Sequence, residues 1–144
     1  MVDINLYVQI LSQVPLLAVM NEKQLKNLAR NLTVREYREG EFILTQGKGG
    51  QGLFILLEGT AKAIRTQPDG DQVTVNEFVP NDYFGELALL DDGLRTASVV
   101  ATSEVKCGVL TRWDFQGILR KEPEMAIDML TELAKRFRRA LETL

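Results

Sequence analysis

The sequence predicts an α+β fold, a jelly-roll β-barrel (a double-stranded β-helix) flanked by N-terminal helices and a C-terminal helix. Apolar residues recur at helical spacing in residues 3–32 and again in residues 111–144. Between these segments, residues 33–110 contain short apolar or alternating runs separated by turns rich in glycine and proline. Such closely spaced strands are typical of an all-β barrel or jelly roll. We therefore predict one domain over residues 1–144.

The N-terminal segment predicts two helices. Pro15 ends the first of them because proline cannot continue a helix. Asn21 is a good N-cap for the second, which carries apolar residues as far as Leu32. The apolar positions at helical spacing are Leu6, Ile10, Leu11, Val14, Leu25, Leu28 and Ala29. We interpret both helices as an amphipathic lid on the barrel.

The central segment predicts seven short strands with turns between them. They cover residues 34–37, 42–44, 53–57, 61–65, 73–78, 98–101 and 105–110. Cys107 lies in the last of these strands and is the single cysteine of the chain, so it cannot form an internal disulfide. We interpret it as a buried structural thiol.

The C-terminal segment predicts a short helix over 113–119 and a longer one with Pro123 in its first turn. Apolar residues of the longer helix alternate at spacings of three and four, as in a heptad seam. They are Ile127, Leu130, Ala134, Phe137, Leu141 and Leu144. This seam indicates either a homodimer through the C-terminal helix or a face that packs on the chain's own barrel.

Composition excludes several classes of function. The net charge of -3 and the isoelectric point near 5.1 argue against nucleic acid or an anionic membrane surface as a partner. The chain has no histidine, which removes imidazole bases, the usual catalytic triads and most transition-metal sites. We expect neither catalytic residues nor a metal site. No secretory signal or membrane-length apolar segment is evident, so we expect a cytoplasmic protein.

Residues 84–101, FGELALLDDGLRTASVVA, contain the candidate site. Gly85 allows close backbone approach, and Glu86 opens a single helical turn whose amides can face an anion. The Asp-Asp-Gly turn that follows directs Arg95 back toward the same space. A carboxylate, N–H donors and a guanidinium around one small space suit a ligand that carries both a phosphate and a hydroxyl.

This stretch resembles the phosphate-binding cassette of cyclic nucleotide-binding domains. Glu86 and Arg95 are nine positions apart, as in the protein-kinase regulatory subunits of that family. Residues 46–59 also match the family's Q-G-D-P-G-D-x-x-Y-x-x-x-x-G pattern at Gly47, Gly50 and Gly59, with Phe54 in place of the tyrosine. Two of the departures from the family matter little. Gln51 replaces an aspartate, and Asn81 replaces a glycine at a position where asparagine can also adopt a positive φ.

The resemblance implies a role for each residue of the cassette. Arg95 would bind the cyclic phosphate, and Glu86 would accept a hydrogen bond from the ribose 2′-hydroxyl. The backbone at Leu87 and Ala97, with the Thr96 hydroxyl, would complete the phosphate cradle. This division is chemically sensible, because a planar guanidinium matches phosphate oxygens whereas a carboxylate needs a hydroxyl donor.

The resemblance also implies a pocket for the base, formed by Ala63, Val75 and Phe78, which would equally serve as barrel core. Arg136 aligns with an arginine near the nucleotide in catabolite activator members of the family, although it also fits a solvated basic helix face. Those members carry two hydroxyl residues toward adenine where this chain has Ala140 and Leu141.

The base preference therefore stays open between cyclic AMP and cyclic GMP. Thr96 tilts the prediction slightly toward cyclic GMP, or toward weak discrimination. The hydroxyl of a threonine after the arginine can reach the guanine 2-amino group in family members that bind cyclic GMP, although several cyclic AMP-binding members share it.

The implied function is a regulatory module, not an enzyme, that binds a 3′,5′-cyclic nucleotide reversibly. Its final helix would signal occupancy to an effector protein or a fused domain. The helix-turn-helix domain of the family's transcription factors is not present in these residues, which are either a stand-alone module or part of a longer chain. The alternative is a structural or interaction barrel of the same fold that has lost its ligand. A cupin-type metalloenzyme also shares the barrel, but its metal centre needs histidines.

Overall fold

A computed structural model describes residues 3–49 and 51–144 of the chain. These residues form two compact units. The helical unit contains residues 3–31 together with Trp113–Leu144, and the barrel unit contains the described residues between Leu32 and Arg112. The prediction that residues 1–144 form one domain, and that the helices cover the barrel, stays a prediction.

The helical unit begins with two capped helices, α1 (Ile4–Leu11) and α2 (Glu22–Arg30), which pack against each other. Asp3 caps α1 by accepting hydrogen bonds from the amides of the following turn. The predicted N-cap of α2 is confirmed, because Asn21 and Gln24 form a reciprocal capping box with hydrogen bonds of 2.8 and 2.9 Å.

The predicted end of the first helix is wrong by several residues. Helix α1 ends at Leu11, and Val14 lies beyond it, just before a 3₁₀ turn over Pro15–Leu17. Val14 is nevertheless fully buried. The spacing of Val14 in the sequence indicates a buried position. Because residues outside a helix can also be buried, the spacing did not mark the end of the helix. Leu32 likewise lies beyond α2.

The C-terminal helices are α3 (Arg112–Lys121) and α4 (Pro123–Glu142), with Pro123 at the start of α4 as predicted. Met125 and Met129 are the buried residues of α4. The predicted heptad seam lies on its exposed surface, where Ile127, Leu130 and Phe137 are 56%, 64% and 66% exposed.

The barrel unit contains eight strands among the described residues. They are β1 (Thr33–Tyr37), β2 (Phe42–Leu44), β3 (Gly52–Glu58), β4 (Ala61–Thr66), β5 (Gln72–Phe78), β6 (Tyr83–Phe84), β7 (Ser98–Ala101) and β8 (Val105–Thr111). The seven predicted strands are confirmed to within two residues. Strand β6 was missed, because a two-residue strand has no detectable alternation.

The strands form two antiparallel four-stranded sheets, in the orders β1-β8-β3-β6 and β2-β7-β4-β5. Their buried faces share one hydrophobic cluster, which includes Phe54, Leu56, Phe78, Phe84 and Val109. Two antiparallel sheets that share one core, with helices at both ends of the chain, confirm the predicted jelly-roll class.

Two single-residue predictions are also confirmed. Asn81 has a φ of 78°, the left-handed conformation expected where the family has glycine. Cys107 is fully buried, and burial raises the pKa of its thiol to about 12, so the thiol stays neutral and unreactive at neutral pH.

None of the helices formed by residues 3–49 and 51–144 combines the length and the apolar character that a membrane span requires.

Candidate functional site

The cassette, residues 84–101, is attached to the barrel core through Phe84. Strand β6 pairs with β3, which places Phe84 opposite Phe54. The two rings stack with centroids 5.5 Å apart, and Phe84 also contacts Phe78 at 4.9 Å. Aromatic stacking within a packed core fixes the position from which the cassette starts.

Gly85 turns the chain into the single helical turn that the sequence predicts. Its φ of 83° and ψ of 22° place it in the left-handed region, and a 3₁₀ turn over Glu86–Leu89 follows. The Ala88 amide donates to the Gly85 carbonyl at 3.1 Å. Ala88 and Leu89 are buried, whereas the Leu87 side chain is 61% exposed. This turn therefore has one face in the core and one face open to a ligand.

The Asp-Asp-Gly turn returns the chain toward Gly85, as predicted. The Asp91 carboxylate accepts from the Gly93 amide at 3.1 Å. Asp92 forms an ion pair of 3.2 Å with Arg112, whose side chain is only 14% exposed. The turn is thus held by a local hydrogen bond and by an ion pair with Arg112, the last residue of the barrel unit.

The backbone of Arg95 is fixed by the loop that follows β2. The Arg95 amide donates to the Lys48 carbonyl at 2.8 Å, and the Gly47 amide donates to the Arg95 carbonyl at 2.9 Å. Leu94, the preceding residue, forms an isolated β-bridge with Gly49. The two halves of the family-like sequence pattern are therefore directly hydrogen-bonded to each other.

The Arg95 guanidinium lies against two backbone carbonyls. Its Nη2 donates to the Gly52 carbonyl at 3.0 Å, and its Nη1 makes a longer contact of 3.5 Å with the Gly85 carbonyl. Its Nε is buried and has no hydrogen-bond partner among residues 3–49 and 51–144. Burial lowers the pKa of Arg95 because desolvation disfavours the charged form. Arg95 is thus a half-buried cation whose Nε–H group is available to a ligand.

Five of the predicted site residues line one cavity of about 510 Å³, which we call the cassette cavity. They are Gly85, Glu86, Leu87, Arg95 and Thr96. Leu94, which is 69% exposed, also lines it and was not among the predicted residues. The cavity brings a carboxylate, a guanidinium and a hydroxyl together, and its volume lies within the range of about 300–1,000 Å³ that small-ligand sites occupy.

The remaining predicted residues lie outside the lining of this cavity. Ala63 and Phe78 belong to the hydrophobic core, and Ala97 packs against it. Val75 is 42% exposed and lies where the register between β4 and β5 shifts by one residue. Arg136 is half-buried on α4 and belongs to the helical unit.

Sequence reasoning missed the residues that hold the cassette in place. Gly52 supplies the carbonyl that Arg95 contacts, and an added Cβ there would collide with the Leu110 carbonyl. Arg65 donates from Nε to the Thr96 carbonyl at 3.3 Å. The Gln46 side chain bonds both backbone groups of Thr66, which ties its loop to β4. The only signal in the sequence was the matching pattern around Gln46, which did not indicate what each residue contacts.

Two further predictions concern Gly50 and a metal site. Gly50, which matches the family pattern, lies outside the described residues. Among the described residues, no group of three or more Cys, Asp or Glu side chains is placed to hold a metal ion.

Comparison with known proteins identifies the family of the chain. The family model for the cyclic nucleotide-binding domain matches residues 34–122. The cyclic AMP receptor protein of Thermus thermophilus is 36% identical over 106 residues, which are 74% of this chain and 49% of that protein. The chain belongs to the cyclic nucleotide-binding domain family. This is a family of regulatory ligand-binding domains and not of enzymes.

Solved structures agree with this membership. The N-terminal domain of a transcriptional regulator from Streptomyces coelicolor A3(2) superposes with a TM-score of 0.81 at 32% identity, covering 93% of this chain and 94% of that one. The regulatory domain of Toxoplasma gondii PKA, crystallised with cAMP, has a TM-score of 0.70 at 28% identity and covers 92% and 50%. The chain spans about half the length, 49%, of the Thermus thermophilus relative. The expectation of no nucleic-acid partner stays a prediction.

Gly85 should be essential to the shape of this site. A Cβ at Gly85 would lie 2.7 Å from Nη1 of Arg95 and 2.9 Å from the Gly52 carbonyl, and the φ of 83° is itself strained for other residues. We expect Gly85→Ala to lower the free energy of unfolding by at least about 2 kcal/mol in urea titrations. Gly70→Ala is the matched control, because Gly70 has a φ of 91° with nothing within 4 Å of its Cβ position. It should cost only the backbone strain, about 1 kcal/mol. Equal losses in both variants would contradict the close packing at Gly85.

Proposed function

We propose that this domain binds a 3′,5′-cyclic nucleotide reversibly in the cassette cavity and acts as a regulatory module. The observation that carries the proposal is the placement of Arg95 and Glu86 on one cavity of about 510 Å³. A cyclic nucleotide has a single anionic phosphate beside a ribose hydroxyl. A guanidinium and a carboxylate in one small space match this pair of groups.

Arg95 is the proposed phosphate ligand. Its contacts at Gly52 and Gly85 are to neutral carbonyls, so they orient the guanidinium without neutralising its charge. The buried Nε supplies a further donor. A phosphate would compensate the desolvation that lowers the Arg95 pKa, and a charge-assisted hydrogen bond is stronger than a neutral one. An anion bound here would therefore offset the free-energy cost of burying the charged Arg95 guanidinium.

Glu86 is the proposed acceptor for the ribose 2′-hydroxyl, since a carboxylate next to a phosphate must pair with a donor. The backbone at Leu87 and Ala97 and the Thr96 hydroxyl are proposed to complete the phosphate cradle. Arg65 donates to the Thr96 carbonyl and so fixes the backbone of Thr96. The side chain of Thr96 is exposed and can contact a ligand.

The base is proposed to contact the wall formed by Ala63, Val75 and Phe78. Ala63 and Phe78 are core residues on adjacent paired strands, so they would present the apolar floor of such a wall. Val75, which is exposed at the register shift, is the member that a ligand can contact directly. The role of Arg136 near the nucleotide stays a prediction from the family resemblance.

Cyclic AMP is the ligand that we propose first. The curated relative is named as a cyclic AMP receptor protein, and the Toxoplasma gondii regulatory domain was crystallised with cAMP. Cyclic GMP is the alternative that Thr96 favours. We further propose that α4 transmits occupancy to an effector protein or a fused domain, and that the protein is cytoplasmic.

The exposed stripe on α4 is proposed to pair with a second copy of the chain. Ile127, Leu130, Phe137 and Leu141 are 49–66% exposed, and with Ala134 they repeat at spacings of three and four. That spacing is the one which two helices bury against each other in a left-handed pair, with the same patch on both partners.

Arg95 is the residue whose removal should weaken binding most. Arg95→Ala should weaken cyclic AMP binding by roughly 2–5 kcal/mol, because the phosphate loses its charged partner in a partly buried site. Isothermal titration calorimetry measures the effect. Arg38→Ala, which removes an exposed arginine outside the cavity, is the matched control. Unchanged affinity in Arg95→Ala, with an intact circular dichroism spectrum, would refute the site.

Thr96 tests the preference for the base. A single hydroxyl contributes about 0.5–1.5 kcal/mol net, so selectivity from Thr96 alone should be around tenfold at most. If the hydroxyl contacts guanine, Thr96→Ala weakens cyclic GMP binding more than cyclic AMP binding in paired titrations. Equal losses place the hydroxyl on the phosphate alone. A hundredfold or greater preference of the wild type for cyclic AMP, about 2.7 kcal/mol, would show that another side chain reads the base.

Phe137→Glu tests the dimer. A charge in the middle of the buried stripe should convert a dimer to a monomer, because an unpaired carboxylate is costly to desolvate. Light scattering with saturating nucleotide measures the mass. Lys135→Glu places a carboxylate on the same helix but off the stripe, and it should remain dimeric. A wild type that is monomeric at high concentration with nucleotide bound contradicts the proposal.

A further inference from the structure

A second, smaller cavity lies in the barrel unit beside the loop that follows β2, and we call it the loop cavity. Its volume is about 170 Å³. Apolar residues of β2 and β3 form part of its lining. The polar side chains of the lining are those of Arg35, Thr45, Lys48, Gln51 and Arg95. Arg95 is the one described residue that lines both this cavity and the cassette cavity.

The charges around the loop cavity have one sign. Among the described residues that line it, the ionisable ones are Arg35, Lys48 and Arg95, all cations. None of the three forms an ion pair with a carboxylate of residues 3–49 and 51–144. Three cations on one lining attract an anion, and no carboxylate of that lining repels it.

The hydrogen bonds that these cations do make leave their charges uncompensated. Arg35 donates from Nη1 to Oε1 of Gln51 at 2.6 Å, which is a neutral acceptor. Arg35 also hydrogen-bonds Tyr37, but burial raises the pKa of that phenol, so it is neutral at pH 7. Arg95 keeps a buried Nε with no partner among the described residues. Gln51 and Tyr37 therefore orient Arg35 without neutralising it.

The size of the cavity restricts what can occupy it. Its 170 Å³ is below the range of about 300–1,000 Å³ that drug-sized ligands need, so a nucleoside does not fit. A tetrahedral oxyanion is small enough, and its oxygens match guanidinium donors well. Thr45 adds a hydroxyl that can donate to such an ion.

We propose that the loop cavity binds a small tetrahedral oxyanion, inorganic phosphate or sulfate, through Arg35, Lys48 and Arg95. The proposed anion site is formed by these residues alone, and anion binding there does not require the nucleotide. Where the proposed function also holds, the anion and the cyclic nucleotide share one guanidinium. Free phosphate then lowers nucleotide affinity, which makes the loop cavity a sensor of phosphate concentration.

Equilibrium dialysis of the full chain against radiolabelled inorganic phosphate tests the site, with ionic strength held constant by chloride. The wild type should show saturable binding at one site. Arg35→Gln and Lys48→Gln should each weaken phosphate binding at least about fivefold, because each removes a charge-assisted contact. Arg38→Gln and Lys62→Gln remove the same charges outside the cavity and should change binding by less than about twofold.

Three outcomes overturn the proposal. Phosphate binding that is not saturable, or that falls equally in the control variants, shows general charge attraction only. A nucleoside monophosphate that binds far more tightly than inorganic phosphate, and depends on Arg35 and Lys48, shows that the cavity accepts a nucleotide's phosphate instead of the free ion. If Arg35→Gln lowers the melting temperature, Arg35→Lys is the variant to compare, because it keeps the positive charge. Arg35→Lys should then retain more phosphate binding than Arg35→Gln. The reverse order contradicts a charge-based site.

The competition is measured separately. In chloride alone, cyclic AMP titration tests only the proposed function. Added phosphate should weaken cyclic AMP binding to the wild type and do so less in Lys48→Gln. Dialysis of phosphate without any nucleotide tests only the loop cavity, so failure of one proposal is distinguishable from failure of the other. Equal weakening by phosphate in wild type and Lys48→Gln overturns the sharing of Arg95.

Discussion

The site depends on how Arg95 is held. Its backbone exchanges hydrogen bonds with the loop after β2, through Lys48 and Gly47, and its guanidinium lies against the carbonyls of Gly52 and Gly85. These contacts come from three separate parts of the chain. A long, flexible side chain loses much rotamer entropy when a ligand fixes it, and a guanidinium that is already oriented has met most of that cost during folding. The contacts therefore favour both binding and specificity.

The position of Arg95 depends in turn on the core. Phe84 stacks on Phe54 in the shared hydrophobic cluster, and the next residue, Gly85, starts the turn that carries Glu86. A binding group placed one or two residues from a packed aromatic ring inherits the rigidity of the core. The cassette is irregular backbone, yet its two ends are as fixed as the strands that they join.

The electrostatics of the barrel unit follow from the same arrangement. Burial lowers the pKa of Arg95, and the neutral carbonyls around it orient the charge without compensating it. Two cavities share this cation, one with the Glu86 carboxylate and one with Arg35 and Lys48. The first suits a ligand with a phosphate and a hydroxyl, and the second suits a bare anion. The chain's net charge of -3 gives no indication of this, because local geometry decides which charges meet.

The sequence by itself determined the strands, the turns and the resemblance to the family. Alternation and turn residues located seven strands, and Gly85, Glu86 and Arg95 stood at diagnostic spacing. Short-range patterns carry this information because backbone conformation is a local property. The two-residue strand β6 and the end of α1 were not predictable, since two residues show no period and burial extends past a helix end.

Only the tertiary structure decided which groups meet. The contact between Arg95 and Gly52 joins residues far apart in the chain, and so does the pairing of Arg35 with Gln51 in the loop cavity. The structure also separated the predicted site into Gly85, Glu86, Leu87, Arg95 and Thr96, which line one cavity, and Ala63 and Phe78, which lie in the core. Sheet register and loop closure set these distances, and both arise from packing across the whole barrel, which no local pattern encodes.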